Sequence, residues 1–317
     1  MPNTRSPTRG SMGFWPRKRA KRIYPRIKSW PKSSESKPLG FAGYKIGMTH
    51  AFIVDNNPNS KTKGQEISTP VTILECPPLS VFGFRCYLDS QCVGDVISDS
   101  LDKNLSRKIK VPKKSRKEEQ LKKLDGKKIN DVYLLCHTNP TFKKRPEVFE
   151  IALGGDKQLE IAKNLLGKHI KIADVFKDGD YIDVTAVTKG KGFQGPVKRF
   201  GIKILRPKAQ QMQRHTGSLG TTEPGKVRST VPQGGQMGFQ TRTELNKRLL
   251  KIVDGKEVNP KGGFLRFGLA SGDCILVEGS VPGSRRRLIR MRTALRYPKT
   301  KYPVNVKYIS TTSKQGV

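Results

Sequence analysis

Acidic residues are scarce in this chain. Its 317 residues hold 26 Asp+Glu against 62 Lys+Arg, a formal net charge of +36. A compact protein with that excess of one sign repels itself, and the densest natural compensation is the phosphate backbone of a nucleic acid. Long apolar runs are also missing. None reaches the ~18 residues that a membrane-crossing helix needs, and no apolar segment follows the basic N-terminus to make it a secretory signal. Nor does an amphipathic helix or a lipidation motif tie the basic surface to a membrane, so no membrane partner is expected.

Cysteine is sparse and odd in number: Cys76, Cys86, Cys92, Cys136 and Cys274, with no C-x-x-C pair. That pattern argues against a disulfide framework and against a structural zinc site, and it suits a reducing cytoplasm. Cys136-His137 is the only adjacent pair of metal-ligand types, and it ends the apolar run Val132-Tyr133-Leu134-Leu135, which reads as strand interior. The four histidines (His50, His137, His169, His215) are scattered and form no Ser or Cys triad motif. Asp178, Asp180 and Asp183 lie close in sequence, but Asp180 and Asp183 would face opposite sides of a strand, so they make no metal-binding carboxylate cluster. No catalytic residue, metal or cofactor is expected, and no small-molecule substrate; the chain does not read as an enzyme.

What remains is basic and β-rich. Residues 1–38 carry eleven Lys+Arg and one acid, Glu35; Phe14, Trp15, Tyr24 and Trp30 interrupt the charge, and six prolines forbid a continuous helix or strand. The segment reads as an arm that orders on RNA, with cations such as Arg17, Lys18 and Arg19 on phosphates and rings such as Trp15 on bases. Residues 39–98 show short apolar runs between turn signals: Gly43–Val54, Val71–Cys76 closed by Pro77-Pro78, Val81–Tyr87 and Val93–Ile97. Residues 103–128 hold twelve Lys+Arg, and Ser115–Leu124 is expected as a short surface helix. Strands are expected at Asp131–His137 and Val148–Leu153. A helix follows, capped by Asp156, with Leu159, Ala162, Leu165 and Leu166 on one face and Gly167 as its left-handed end.

Asp180–Thr188 alternates strongly and predicts a strand that runs into Lys189-Gly190-Lys191-Gly192-Phe193-Gln194-Gly195-Pro196. From there to Phe239 the chain lacks apolar periodicity, and a loop of that length is expected to be functional. Strands return at Leu249–Val253, Phe264–Leu269 and Cys274–Glu278; for Thr243–Leu250 a strand is preferred to a helix, because Leu250 and Ile252 alternate with charges. Three segments read as phosphate contacts. The first is the glycine-rich stretch with Lys189, Lys191, Lys198 and Arg199. It lacks the Gly-Lys-Ser/Thr of a nucleotide-binding loop. The second is the long loop with Arg206, Lys208, Arg214, His215, Lys226, Arg228 and Gln236, continued by Arg242. The third is the arginine run Arg285, Arg286, Arg287, Arg290 and Arg292.

Ordered motifs across nearly the whole chain resemble one family. Gly40-Phe41-Ala42-Gly43-Tyr44-Lys45-Ile46-Gly47-Met48-Thr49 resembles the start of the barrel in large-subunit ribosomal protein three, the universal L-three family. Lys191-Gly192-Phe193-Gln194-Gly195 and Lys198-Arg199 resemble the exit into its internal extension. Gly217–Gly220, Pro224–Val227 and Gly235–Gly238 resemble the extension itself, and Val277–Gly283 the closing strand and turn. The arm and the insertion look like the archaeal and eukaryotic branch, and the compact length looks archaeal. The resemblance implies a mainly β fold, a six-stranded translation-factor-like β-barrel with a small α/β insertion, an extended basic N-terminal arm and a long internal loop. In these terms 1–38 is the arm and 39–98 the first part of the barrel. Residues 99–174 are the insertion, 175–195 the second part of the barrel, 196–239 the extension, 240–290 the third part and 291–317 a basic C-terminal tail.

The same resemblance implies a structural, ribosomal-RNA-binding role near the 3′ end of the large-subunit RNA, early in subunit assembly. The extension would reach toward the peptidyl-transferase centre and the path of the incoming aminoacyl-tRNA. Neighbours would be ribosomal protein fourteen and the eukaryote-type protein twenty-four. Eukaryotic members carry a tryptophan near the tip of the extension; here Thr221-Thr222-Glu223 stands there, so a tip aromatic is not carried over.

Overall fold

A computed structural model describes residues 10–89, 91–112, 114, 116–124, 126–209, 212–223, 225–296 and 302–313. The chain divides into two compact units. Unit 1 joins Met1–Ile23 to Val187–Arg242, and unit 2 joins Tyr24–Ala186 to Thr243–Val317. The fold is mainly β. In chain order the strands are β1 (Gly40–Val54), β2 (Glu66–Glu75), β3 (Leu79–Leu88), β4 (Gln91–Ile97), β5 (Asp131–Thr138), β6 (Val148–Ala152), β7 (His169–Ile170), β8 (Tyr181–Val187), β9 (Phe193–Gln194), β10 (Gly235–Gln236), β11 (Thr241–Asp254), β12 (Asp273–Glu278), β13 (Leu288–Thr293) and β14 (Asn305–Ile309). The described residues also form the short α-helices α1 (Lys117–Lys122), α2 (Gln158–Leu165), α3 (Pro196–Phe200) and α4 (Gly255–Val258).

Unit 2 is built on β1. At fifteen residues it is two to three times the usual strand length. Along one edge it pairs with β2, from Tyr44↔Glu75 to Val54↔Glu66, with a bulge between Lys45 and Gly47. Its other edge is shared: Gly40–Tyr44 pair with β13, and Ala51–Val54 pair with β14. The strand order is β13-β8-β11-β12-β2-β1-β14, with the additional pairing β13–β1. A second sheet has the order β4-β3-β5-β6, with β7 on β3. Both sheets feed one continuous apolar core that includes Phe41, Tyr44, Ile73, Phe84, Leu134, Ile151, Val184, Leu276 and Ile289.

Two buried polar groups in this core are paired, which offsets their desolvation. Tyr44 donates its hydroxyl to the buried Glu147 and lies 2.8 Å from Thr138 Oγ1, and Lys143 closes the group on Glu147. Burial, with the Glu147 charge beside it, pushes the Tyr44 phenol far above its ordinary range, so it stays a donor. Asp183 on β8 is fully buried. It accepts Nη2 of Arg292 at 3.0 Å, Nε at 3.2 Å and the backbone N–H groups of Asn246 and Leu295. Arg292 on β13 also donates to the hydroxyl of Ser29 at 2.7 Å. One ion pair thus ties β8, β13 and the strand after residue 240 to the segment that precedes β1.

Most expected strands are present, and Thr243–Leu250 lies inside the long strand β11. Four expectations are corrected. The stretch 39–98 does not serve one sheet: the break at Pro77-Pro78 sends β1 and β2 to the first sheet, β3 and β4 to the second. Phe264–Leu269 is no strand. The chain folds back within it, Phe264 N–H donating to Gly268 O and Gly268 N–H to Phe264 O, with Arg266 at φ +63°. Asp156 does not cap α2; Lys157 stands at that position without a side-chain cap, although Gly167 does adopt φ +78°. The surface helix is shorter than Ser115–Leu124, and Ser115 lies outside the described residues. The basic stretch from 291 carries the end of β13, up to Thr293, and β14, which pairs with β1. Cys136 and His137 are buried in β5 as strand interior, with His137 Nε2 3.1 Å from Asp102.

Removing one partner of a buried ion pair strands the other charge, which costs about 3–5 kcal/mol. Asp183→Ala is expected to lower stability by about that amount in urea unfolding, and pairing it with Arg292→Met is expected to restore a large part of the loss. Equal stability of the single variant and the wild type would refute this role.

Candidate nucleic-acid interface

Unit 1 contains eighteen Lys+Arg and a single acid, Glu223. It holds its shape chiefly through its backbone. Residues 188–192 and 237–240 form a ribbon in which Thr188 N–H donates to Gln240 O, Lys191 N–H to Met237 O and Met237 N–H to Gly192 O. Two residue pairs extend it, Gln194↔Gly235 and Phe193↔Gln236. Gly238 is the tightest point: at φ +69° a β-carbon there would lie 2.1 Å from Lys189 O. The helix α3 starts with Pro196 and ends on Gly201 at φ +65°, the ordinary proline-first, glycine-last arrangement.

The described part of the arm packs on this frame. Ala20 N–H donates to Phe239 O at 2.8 Å. Arg17 lies 4.4 Å above the Phe200 ring, Arg199 5.0 Å from it, and Arg242 4.9 Å above the ring of Phe14. Such guanidinium–ring contacts stabilise by about 0.5–2 kcal/mol each. The three arginines also repel one another. Burial first, and the Arg17 charge second, hold Arg199 and Arg242 below the ordinary guanidinium range. Within unit 1 the only carboxylate is Glu223.

The expected contact residues fall into three groups. Lys18, Arg19, Lys189, Lys191, Lys198, Arg206, Lys208, Arg214, His215, Lys226 and Arg228 are exposed and available to an external anion. Trp15, Arg17, Arg199, Gln236 and Arg242 are half-buried, and all but Trp15 spend donors internally. Arg199 donates Nε to Gln236 O and Nη1 to Gln233 O, Arg242 donates Nη2 to Gln240 Oε1, and Gln236 donates Nε2 to Gly238 O. The arginine run in unit 2 is the third group, and it divides. Arg285 and Arg286 are exposed, Arg286 also donating to Phe267 O, while Arg287 is half-buried against Ser284 Oγ.

Arg290 and Arg292 are corrections. Both lie in the interior, Arg290 with 1% of its surface exposed, 4.4 Å above Phe149 and donating to Glu150 O. Burial pulls the Arg290 guanidinium down to about 10. Arg290 joins the two sheets, Arg292 ties β13 to β8 and to Ser29, and neither reaches an external phosphate. They alternate with Ile289 and Met291 on β13, a strand buried on both faces, and an arginine-rich run in sequence conceals that. Phe193, absent from the expected contact residues, is 79% exposed on β9.

A unit whose cations outnumber its acids eighteen to one defines a class: structural proteins that neutralise a polyanion. The family model described as "Ribosomal protein L3" matches residues 1–316. The chain is 48% identical to large ribosomal subunit protein uL3 of Archaeoglobus fulgidus, with 98% of each chain covered. It is 48% identical to that of Methanocaldococcus jannaschii, with 99% of each covered, and 46% identical to that of Methanobrevibacter smithii, with 98% of each covered. The chain belongs to the ribosomal protein L3 family, structural components of the ribosome and not enzymes.

Gly238→Ala forces a left-handed, clashing residue into the ribbon, a cost of at least about 1–2 kcal/mol. Hydrogen exchange is expected to show faster exchange at the Lys191 and Met237 amides, while amides of β1 and β2 keep their protection. Unchanged exchange in the ribbon would contradict the geometry.

Proposed function

We propose that the chain organises large-subunit ribosomal RNA, binding near the 3′ end of that RNA and helping to nucleate subunit assembly. As an L3-family protein it is a constituent of the large subunit of the cytoplasmic ribosome, where it associates with ribosomal RNA and other ribosomal proteins. The observation that carries the finer reading is the charge of unit 1, eighteen cations against Glu223 alone, most of them exposed. Phosphate neutralisation would supply most of the affinity, and RNA shape most of the selectivity.

In this reading unit 2 is a rigid platform. The pairing path β1-β2-β12-β11-β8-β13 returns to β1, which supports a closed six-stranded barrel of the translation-factor type. The second sheet serves as the α/β insertion. The extension between Pro196 and Phe239 would reach toward the peptidyl-transferase centre and the incoming aminoacyl-tRNA. The neighbours would be ribosomal protein fourteen and the eukaryote-type protein twenty-four.

Lys226 and Arg228 are exposed in the extension. Replacing both by Ala is expected to leave the melting temperature of the chain within about a degree of wild type, because surface changes rarely exceed ±0.5 kcal/mol. The variant is nevertheless expected to enter large subunits poorly when reconstitution mixtures are separated on sucrose gradients. Wild-type incorporation would contradict the assigned role of the extension. Competition that favours duplex DNA over structured ribosomal RNA for the unmodified chain would contradict the function itself.

A further inference from the structure

Among the described residues no large apolar side chain is more exposed than Phe193. It stands on β9, pinned to β10, and its ring lies against Gly234: a β-carbon there would come within 3.1 Å of Cε1 and 3.3 Å of Cζ. The residue beneath the ring therefore has no side chain to cover it. The next residue, Gly235, backs onto Arg199, whose guanidinium carbon lies 3.0 Å from where its β-carbon would be. Successive residues of a strand point to opposite faces. Arg199 thus braces the ribbon from the far side, through Gln236 O at 3.1 Å and Gln233 O at 2.9 Å. Gln194 Nε2 donates to Lys191 O at 2.7 Å and stiffens the approach to the strand.

The result is an aromatic ring whose tip rests on backbone while 79% of its surface is open to solvent. Two further rings of unit 1 are occupied differently: Phe200 lies under Arg17 and Arg199, and Phe14 under Arg242. On either side of Phe193 in the chain, Lys189, Lys191 and Lys198 are exposed. An open π-face beside several cations suits a nucleotide whose base is unpaired, because stacking needs the face of the base and the cations take the flanking phosphates. Bases inside a duplex present only their edges.

We propose that Phe193 is a stacking platform for an unpaired RNA base. The proposal rests on the RNA-binding reading above and adds a base contact to a function otherwise carried by phosphates and shape. Phe193 would bind by its ring, and Arg199 would act as a positioning residue that holds the ribbon beneath it.

The test uses the full chain and a single-stranded RNA oligonucleotide carrying one fluorescent purine analogue, with the same sequence as a duplex for comparison. Stacking on an aromatic side chain contributes about 1–3 kcal/mol per base, which corresponds to roughly 5–150-fold in affinity. Phe193→Ala is expected to weaken single-strand binding within that range and to abolish quenching of the analogue, while duplex binding stays at its wild-type value. Phe193→Trp is expected to retain binding, which also shows that the ribbon tolerates substitution. Phe193→Leu keeps an apolar side chain without a π-face and is expected to behave as Phe193→Ala does. Wild-type affinity of Phe193→Ala would overturn the proposal. So would full binding by Phe193→Leu, which would mark an apolar contact surface of the kind a protein partner uses. Failure of the unmodified chain to bind either RNA would overturn the RNA-binding reading itself, an outcome separable from loss in the variants alone.

Discussion

Unit 1 is governed by repulsion between its own cations. Two unit charges 4 Å apart in surroundings of intermediate polarity interact by about 4 kcal/mol, and salt at physiological strength screens them only over roughly 8 Å. Eighteen Lys and Arg with one carboxylate among them cannot neutralise one another. The unit meets this constraint in two ways. Its frame is held by backbone hydrogen bonds, which carry no net charge, and its most crowded arginines are laid over aromatic rings and carbonyl oxygens. The remaining cations among the described residues are exposed. The unit lacks the anions that would balance its charge, and as a member of the ribosomal protein L3 family the chain associates with ribosomal RNA.

Unit 2 solves a different problem. Its long strand β1 is shared by three partners, so several pairings depend on one backbone. The buried charges of this unit are paired or enclosed: Asp183 with Arg292, Glu147 with Tyr44 and Lys143, and Arg290 among aromatic rings and a carbonyl. A buried pair of this kind contributes little net stability against an apolar replacement, yet it penalises any arrangement that separates its members. Asp183 and Arg292 sit on different strands, β8 and β13, so their pair favours one register of the sheet over its alternatives.

Much of this was legible in the sequence, for physical reasons. Charge is a sum over residues and needs no structure to read. Strands such as β8 and β12 announce themselves by β-branched residues between turn signals. The motifs from Gly40 to Thr49 and from Lys191 to Gly195 pointed to the family that the comparison confirms. Other features depend on pairing partners and could not be read locally. The two sheets separate at Pro77-Pro78, yet β2 and β3 are alike in composition, and only their partners distinguish them. Arg290 and Arg292 looked like surface cations because a buried arginine is rare, and only Asp183, more than a hundred residues away, explains one of them. Phe264 to Leu269 had the composition of a strand but closes on itself. Phe193 was visible as part of a glycine-rich motif, but its exposure follows from Gly234, forty-one residues further on.

The central claim is that phosphate contacts made by the basic unit dominate binding. Filter-binding titration of the full chain against large-subunit ribosomal RNA over a range of salt concentrations tests it directly. With about ten phosphates neutralised, log affinity is expected to fall against log salt with a slope of roughly −7 to −9. A flat salt response would contradict the account.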